Sequence, residues 1–361
     1  MKKLDILQVY RGIAAILVVL YHVTVYSQEK FNYVFMGNVF SFGFTGVDFF
    51  FVLSGFIIFY VHGRDLGQPD TLATYLDRRV KRIFPFYWGV TAVKLAAIFL
   101  VAGYAKPYEK EWGVILSSFL LLPQPNLPLI GAAWTLTHEV LFYVFFGIMI
   151  LLGRRWMLRF VIVWAIAIIG LFAFQSAGLF EGVNYLIGFL LNPRNLEFLL
   201  GCASGFIIKN YTLRYARVLA LAGAGLFFAA GLVLNPTENY SAMVLMASFG
   251  LPAFLLVTGS AWLASQYEIK LPRLLVFLGD ASYSIYLGAF AFVNFLSLAF
   301  SKISLALILG PFATTFLIAL FAVGGGSLVY ILVERPLLTV LRKKQLISQW
   351  AMAPSFTDKV R

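Results

Sequence analysis

The sequence predicts an all-α polytopic integral membrane protein of about ten transmembrane helices, with both termini in the cytoplasm. Three observations carry that prediction. The 361 residues are 61% hydrophobic and only 12% charged, with mean hydropathy +0.87, whereas soluble domains carry about 25% charged residues. Ten stretches have the apolar character, and most have the roughly 20-residue length, of a helix that crosses the hydrocarbon core. Basic residues are also distributed unequally between alternate connecting segments, which reports orientation.

The candidate spans are 6–26, 43–62, 83–103, 131–152, 155–176, 194–209, 215–234, 241–263, 282–300 and 306–339. Lys2 and Lys3 precede the first as in a secretory leader, but no small-x-small cleavage site follows. Tyr21-His22-Val23-Thr24 stands there instead, so the run reads as a retained span. The sixth is short, and the last is long enough to tilt. Segment 112–122 is too short to cross and ends at Pro123-Gln124-Pro125, which suits an interfacial or re-entrant piece. Together these give one transmembrane domain, 1–341, and a short polar cytoplasmic tail, 342–361.

With the N-terminus inside, 20 of the 28 basic residues fall in inner segments, five in outer segments and three within spans. The net charge of +12 is therefore a topology signal, and a nucleic-acid partner is not expected. The single cysteine, Cys202, has no partner for an intrachain disulfide and reads as a packing residue. The two halves show no paired broken helices of the transporter kind.

Ionisable groups inside spans are costly, so each is a candidate functional residue. Arg11 and His22 lie on the first span, eleven residues apart, which is almost three turns and about 16 Å of rise. They share a face. The bland readings are that Arg11 snorkels and His22 sits among headgroups. Asp48 begins the second span, Glu139 the fourth, and Glu197, after Arg194-Asn195-Leu196, the sixth. These three and His22 are expected at one depth near the outer surface. Tyr143 follows Glu139 at i+4 on the same face. A neutral imidazole polarised by a carboxylate can take a proton from a hydroxyl. His22 with Glu139 or Asp48 would serve, and His138 is the competitor. No metal site is read.

The cytoplasmic loop 63–82 ends in Arg78-Arg79-Val80-Lys81-Arg82. Four basic residues within five positions suit phosphate oxygens, which Arg grips in bidentate fashion. Anionic-lipid binding is the alternative use of such a cluster.

Seven stretches in order resemble the acyltransferase-3 family of bacterial membrane acyltransferases. They are the Arg11/His22 spacing; Gly46-Val47-Asp48-Phe49-Phe50-Phe51-Val52-Leu53-Ser54-Gly55-Phe56; Arg78 through Trp88; Trp134-Thr135-Leu136 with Glu139, Phe142 and Tyr143; Glu197-Phe198-Leu199-Leu200-Gly201; Ser282-Tyr283-Ser284-Ile285-Tyr286-Leu287; and Glu334-Arg335-Pro336. Length and the lack of an appended domain are similar to exopolysaccharide O-acetyltransferases of the succinoglycan type. The resemblance implies a multi-pass enzyme of the bacterial inner membrane with acetyl-CoA as donor and a carbohydrate acceptor. It implies essential roles for His22 and Arg11, and CoA handling by the basic run. Many members carry a histidine two residues beyond the counterpart of Leu287, where this chain has Ala289.

The combined expectation is a membrane O-acetyltransferase. His22, Glu139, Asp48 and Arg11 are its catalytic candidates. Arg78, Arg79, Arg82 and Arg11 are the CoA-binding candidates, and Tyr143, His138, Asn195 and Glu197 the acceptor-binding ones. The acceptor would be an exported polysaccharide or its lipid-linked precursor. Homo-oligomerisation is left open. A solute transporter would instead show flux without CoA consumption, and a non-catalytic subunit of a polysaccharide-synthesis complex would not bind CoA.

Overall fold

A computed structural model describes residues 4–101, 105–179, 182–234 and 240–341. Among these described residues the regular elements are all helical, and nine helices are long and apolar enough to cross a membrane. The proposed tail at 342–361 lies outside the described residues.

The first helix, α1 (Asp5–Phe31), holds a central place. It packs against α2 (Gly46–His62), α12 (Arg273–Asp280), α13 (Ser282–Lys302) and α15 (Pro311–Val329). Between α2 and α12 the chain forms α3 (Leu72–Leu100), α4 (Trp112–Leu120), α5 (Trp134–Leu152), α6 (Arg154–Ser176) and α7 (Tyr185–Leu190). It continues through α8 (Asn195–Asn210), α9 (Ala216–Val233), α10 (Ala242–Leu245) and α11 (Leu251–Gln266), and α14 (Leu305–Leu309) precedes α15. Apolar side chains on outward faces need no burial here, because hydrocarbon is their solvent. On the 23-residue α6 only Trp164 and Ile168 are buried.

Among the described residues nine helices reach spanning length, and the sixth expected span folds as α8, of 16 residues. The nine-residue α4 covers about 13 Å and cannot cross. It is fastened to α3, where Tyr87 Oη donates to the Ser118 carbonyl at 2.7 Å and Trp88 Nε1 to that of Phe119 at 2.9 Å.

α2 and α8 cross backbone to backbone. A Cβ on Gly55 would lie 2.0 Å from the Phe198 carbonyl oxygen, and one on Gly201 would lie 2.1 Å from that of Val52. Only glycine permits this approach, the small-residue packing expected between helices in lipid.

Two features depart from the expected spans. α3 starts at Leu72, so the basic run 78–82 is helical rather than the end of a loop. α2 starts deep: a Cβ on Gly46 would meet the carbonyl oxygen of Ala14, the tenth residue of α1, at 2.6 Å. The 3₁₀ turn Ser41–Thr45 carries the chain in to that level. A second 3₁₀ turn, Gly131–Ala133, leads into α5. π-helical turns interrupt the tenth-to-eleventh helix junction at Met246–Gly250 and extend α15 at Tyr330–Glu334.

Candidate active site

A pocket of about 110 Å³ opens among α1, α2, α3, α5 and α13. Its polar lining comprises Arg11, Ser54, Arg79, Arg82, Thr135, Glu139, Tyr143, Ser282, Tyr283 and Tyr286. The remainder is apolar, chiefly Phe50, Phe51, Leu53 and Ile57 of α2.

Helical periodicity sorts the basic run. Arg79 and Arg82, at i and i+3, share the face of α3 that turns inward. Arg78 is exposed and outside the pocket, and Lys81 pairs with Asp77 at 2.7 Å. The expected trio of phosphate ligands is therefore divided, because these residues sit on a helix and not in a loop that could gather them.

Arg82 Nη1 donates to Glu334 Oε1 at 2.8 Å, and Ser284 Oγ donates to Glu334 Oε2 at 2.6 Å. The Arg82 guanidinium also lies 5.4 Å from the Tyr283 ring centroid. The Arg79 guanidinium lies over the rings of Tyr75 and Tyr143, 5.7 Å from each centroid. Its Nε is buried without a hydrogen-bond partner, as is Ser282 Oγ. Such orphaned polar atoms in a pocket wall suit a polar ligand. Arg11 lines the same pocket and makes no ion pair among the described residues.

Glu139 is the pocket's carboxylate. Its Oε1 accepts from Ser54 Oγ at 2.9 Å and from Tyr143 Oη at 2.5 Å. Tyr286 Oη donates to the Ala132 carbonyl at 3.2 Å and shares a hydrogen bond with Thr135 Oγ1 at 2.9 Å, which ties α13 to the start of α5.

The expected common depth of His22, Asp48, Glu139 and Glu197 is not observed. Glu139 bonds Ser54, six residues and so about 9 Å along α2 from Asp48. The cause is the interior start of α5: counting turns from the water surface misplaces a residue whose helix begins inside the bundle. Asp48 is fully buried and accepts from Arg194 Nε at 3.4 Å, with the Glu197 carboxyl adjoining it. Arg194 in turn lies 5.0 Å from the Trp134 ring centroid. His138 is buried and its Nδ1 lies 2.9 Å from Asn195 Oδ1, while Asn195 Nδ2 donates to the Phe189 and Leu190 carbonyls at 3.0 Å. His138, Asn195, Asp48 and Glu197 therefore form a packed clasp among α2, α5, α7 and α8, outside the pocket lining.

His22 is half-buried and also outside that lining. Its ring neighbours are Tyr21 at 5.1 Å and Phe290 at 5.6 Å between centroids. The expected pairing of His22 with Glu139 or Asp48 is absent among the described residues: Ser54 and Tyr143 occupy the first, Arg194 the second.

Sequence reasoning passed over Ser54, Ser284 and Glu334 as site residues. All three stand in quoted motifs, and Glu334 is an acid inside a span, a signal that alone would have marked it. Among the described residues no group of three His, Cys, Asp or Glu could hold a metal ion.

A cationic pocket with one anchored carboxylate, enclosed by membrane-crossing helices, suits handling of an anionic substrate within the bilayer. The family model described as "Acyltransferase domain" matches residues 4–331, so the chain belongs to that family and is a multi-pass membrane acyltransferase. It is 32% identical over 320 residues to the exopolysaccharide production protein ExoZ of Rhizobium meliloti (strain 1021), covering 84% of this chain and 92% of that one. It is 25% identical over 284 residues to a Staphylococcus aureus (strain COL) protein whose name marks it as a proposed O-acetyltransferase, covering 70% of this chain and 46% of that one. No solved structure matches the chain.

Proposed function

We propose that this chain is an O-acetyltransferase of the bacterial inner membrane, moving an acetyl group from cytosolic acetyl-CoA to a carbohydrate hydroxyl. The acceptor is an exported polysaccharide or its lipid-linked precursor. One observation carries the reading: in a chain of the acyltransferase family, a single pocket joins the guanidinium groups of Arg11 and Arg79 to the anchored carboxylate Glu139. The likeness to ExoZ supports a polysaccharide as acceptor.

Arg79 and Arg82 face the end of the pocket where α3 begins, which the basic-residue count assigns to the cytosol. They are suited to the donor's phosphates. A space of about 110 Å³ admits a slender arm and not a nucleotide, so the phosphates stay at the mouth and the arm passes Arg11. From there α1 rises about 16 Å to His22. The hydroxyl oxygen attacks the thioester carbon, the C–S bond breaks, and the hydroxyl proton passes by way of His22 to the departing thiolate. Tyr21 and Phe290 hold the imidazole by ring contacts, in place of the carboxylate that the sequence suggested.

The test is acetylation of the exported polysaccharide, read by mass spectrometry with and without the chain. His22→Ala is expected to lower the rate by roughly 10²- to 10⁴-fold, the usual contribution of a general base. Full acetylation by that variant would overturn the assignment. Rapid-quench detection of acetylated protein before acceptor is added would reveal an acetyl-His22 intermediate in place of direct transfer.

A further inference from the structure

A second and larger cavity, of about 600 Å³, lies between α5, α6 and α8. Its walls are almost wholly apolar: Phe142, Phe146 and Met149 from α5, Leu158 and Trp164 from α6, and Phe206 from α8. The packed rings of Phe51, Phe198 and Phe142, with centroids 4.7 Å apart in each step, separate it from the acyltransferase pocket. It exists because α6 stands away from the bundle over its first ten residues; its two buried residues are Trp164, close to the midpoint, and Ile168, beyond it.

The charge on this cavity is confined to one end, where Arg154 and Arg155 open α6. Arg154 spreads over the Phe206 ring, 5.3 Å from its centroid. Neither arginine has an ion pair among the described residues, and α6 itself carries no acid. The loop packed on Gly153 does carry one, Asp65, but it is taken by His62 Nδ1 at 2.6 Å. The first turn of α6 has no side-chain cap, so its free N–H groups add to the positive end.

We propose that this groove is a binding site for one anionic glycerophospholipid, its acyl chain between α5, α6 and α8 and its phosphate on Arg154 and Arg155. Charge complementarity selects the occupant. An apolar slot in a bilayer is filled by hydrocarbon, and a basic rim between transmembrane helices prefers a negative headgroup. The rim lies at the same end of the bundle as Arg79 and Arg82, since α6 begins where α5 ends and α3 begins where α2 ends. On the orientation proposed above this is the cytosolic leaflet, away from the acceptor side of the mechanism, so a sugar-bearing lipid is not the occupant.

The experiment uses the full chain purified in detergent, with dioleoyl phosphatidylglycerol and dioleoyl phosphatidylcholine as probes and native mass spectrometry as readout. The expected result is one retained phosphatidylglycerol and a preference over phosphatidylcholine of roughly 25-fold, about fivefold for each arginine. Arg154→Gln with Arg155→Gln should abolish the preference. Ala203→Phe, which narrows the groove from α8, should displace both lipids while leaving the arginines in place. Equal retention of the two lipids by the native chain would overturn the proposal, as would a preference that survives the double substitution. Displacement of phosphatidylglycerol by equimolar polyprenyl phosphate would overturn it in favour of an isoprenoid carrier.

Discussion

Replacing Glu334 with alanine tests how the donor end of the pocket is built. Glu334 is fully buried on the π turn at the end of α15, and it holds Arg82 at 2.8 Å and Ser284 at 2.6 Å. Hydrogen bonds to a charged group contribute about 1.5–3 kcal/mol each, and removing one partner of a buried pair costs about 3–5 kcal/mol. The Arg82 side chain is 28% exposed, so water recovers part of that loss, and the expected destabilisation is about 2–3 kcal/mol. Glu334→Gln keeps the Ser284 bond and should lose about half as much. Released from Glu334, Arg82 can leave the pocket wall, so the KM for acetyl-CoA should rise about tenfold, the equivalent of roughly 1.4 kcal/mol. The assays are thermal unfolding in detergent and steady-state kinetics with varied donor. A third variant separates stability from function. Arg82→Met with Glu334→Leu removes both charges, so it should regain most of the stability and none of the donor affinity. A Glu334→Ala variant with native stability and native donor KM would refute the reasoning.

Three further predictions follow from the same geometry. Gly55→Ala drives a Cβ into the Phe198 carbonyl at 2.0 Å and should cost about 3 kcal/mol or more by forcing α2 from α8, whereas Gly225→Ala meets open space and should be neutral in the same unfolding assay. Arg79→Gln should raise the donor KM about tenfold or more, as the loss of a charge-assisted phosphate bond, and Arg78→Gln should leave it within about twofold; equal effects would mean that the basic run acts as a cluster and not through one helix face. Tyr143→Phe keeps the ring beside Arg79 but removes the 2.5 Å bond to Glu139, so kcat should fall by about tenfold with donor KM little changed, the signature of a contact that matters in the transition state.

Much of the architecture was legible because the bilayer imposes simple rules. Span lengths and apolar character located the helices of α1, α2, α5, α6, α9 and α13 to within a few residues. The short 112–122 segment was recognisable as a non-crossing piece from length alone. Of the site, Arg11, Arg79, Arg82, Glu139 and Tyr143 reach one pocket. What could not be read was pairing. Nothing local in the sequence says that Arg82 meets an acid 252 residues away, or that Asp48 is taken by Arg194 while Glu139 is taken by Ser54. Those partners depend on helix rotation and on where each helix begins, and neither is encoded in hydropathy.

The two 3₁₀ entries explain the error in depth, and they turn it into a rule. A helix end exposes backbone groups that hydrocarbon cannot satisfy, so it is tolerated at mid-bundle only where protein or a polar cavity surrounds it. Ser41–Thr45 and Gly131–Ala133 deliver α2 and α5 to their starts, and the second residue of each helix, Val47 and Thr135, lines the pocket. The interior starts and the cavity thus require each other: the cavity accommodates the helix ends, and the ends bring Glu139 level with Ser54 rather than with Asp48. Small residues ahead of an apolar run, here Ser41, Gly43, Thr45 and Gly46, or Gly131, Ala132 and Ala133, are the readable trace of such a start. In this chain they point to the acyltransferase pocket more directly than a count of ionisable residues at equal distance from the membrane surface.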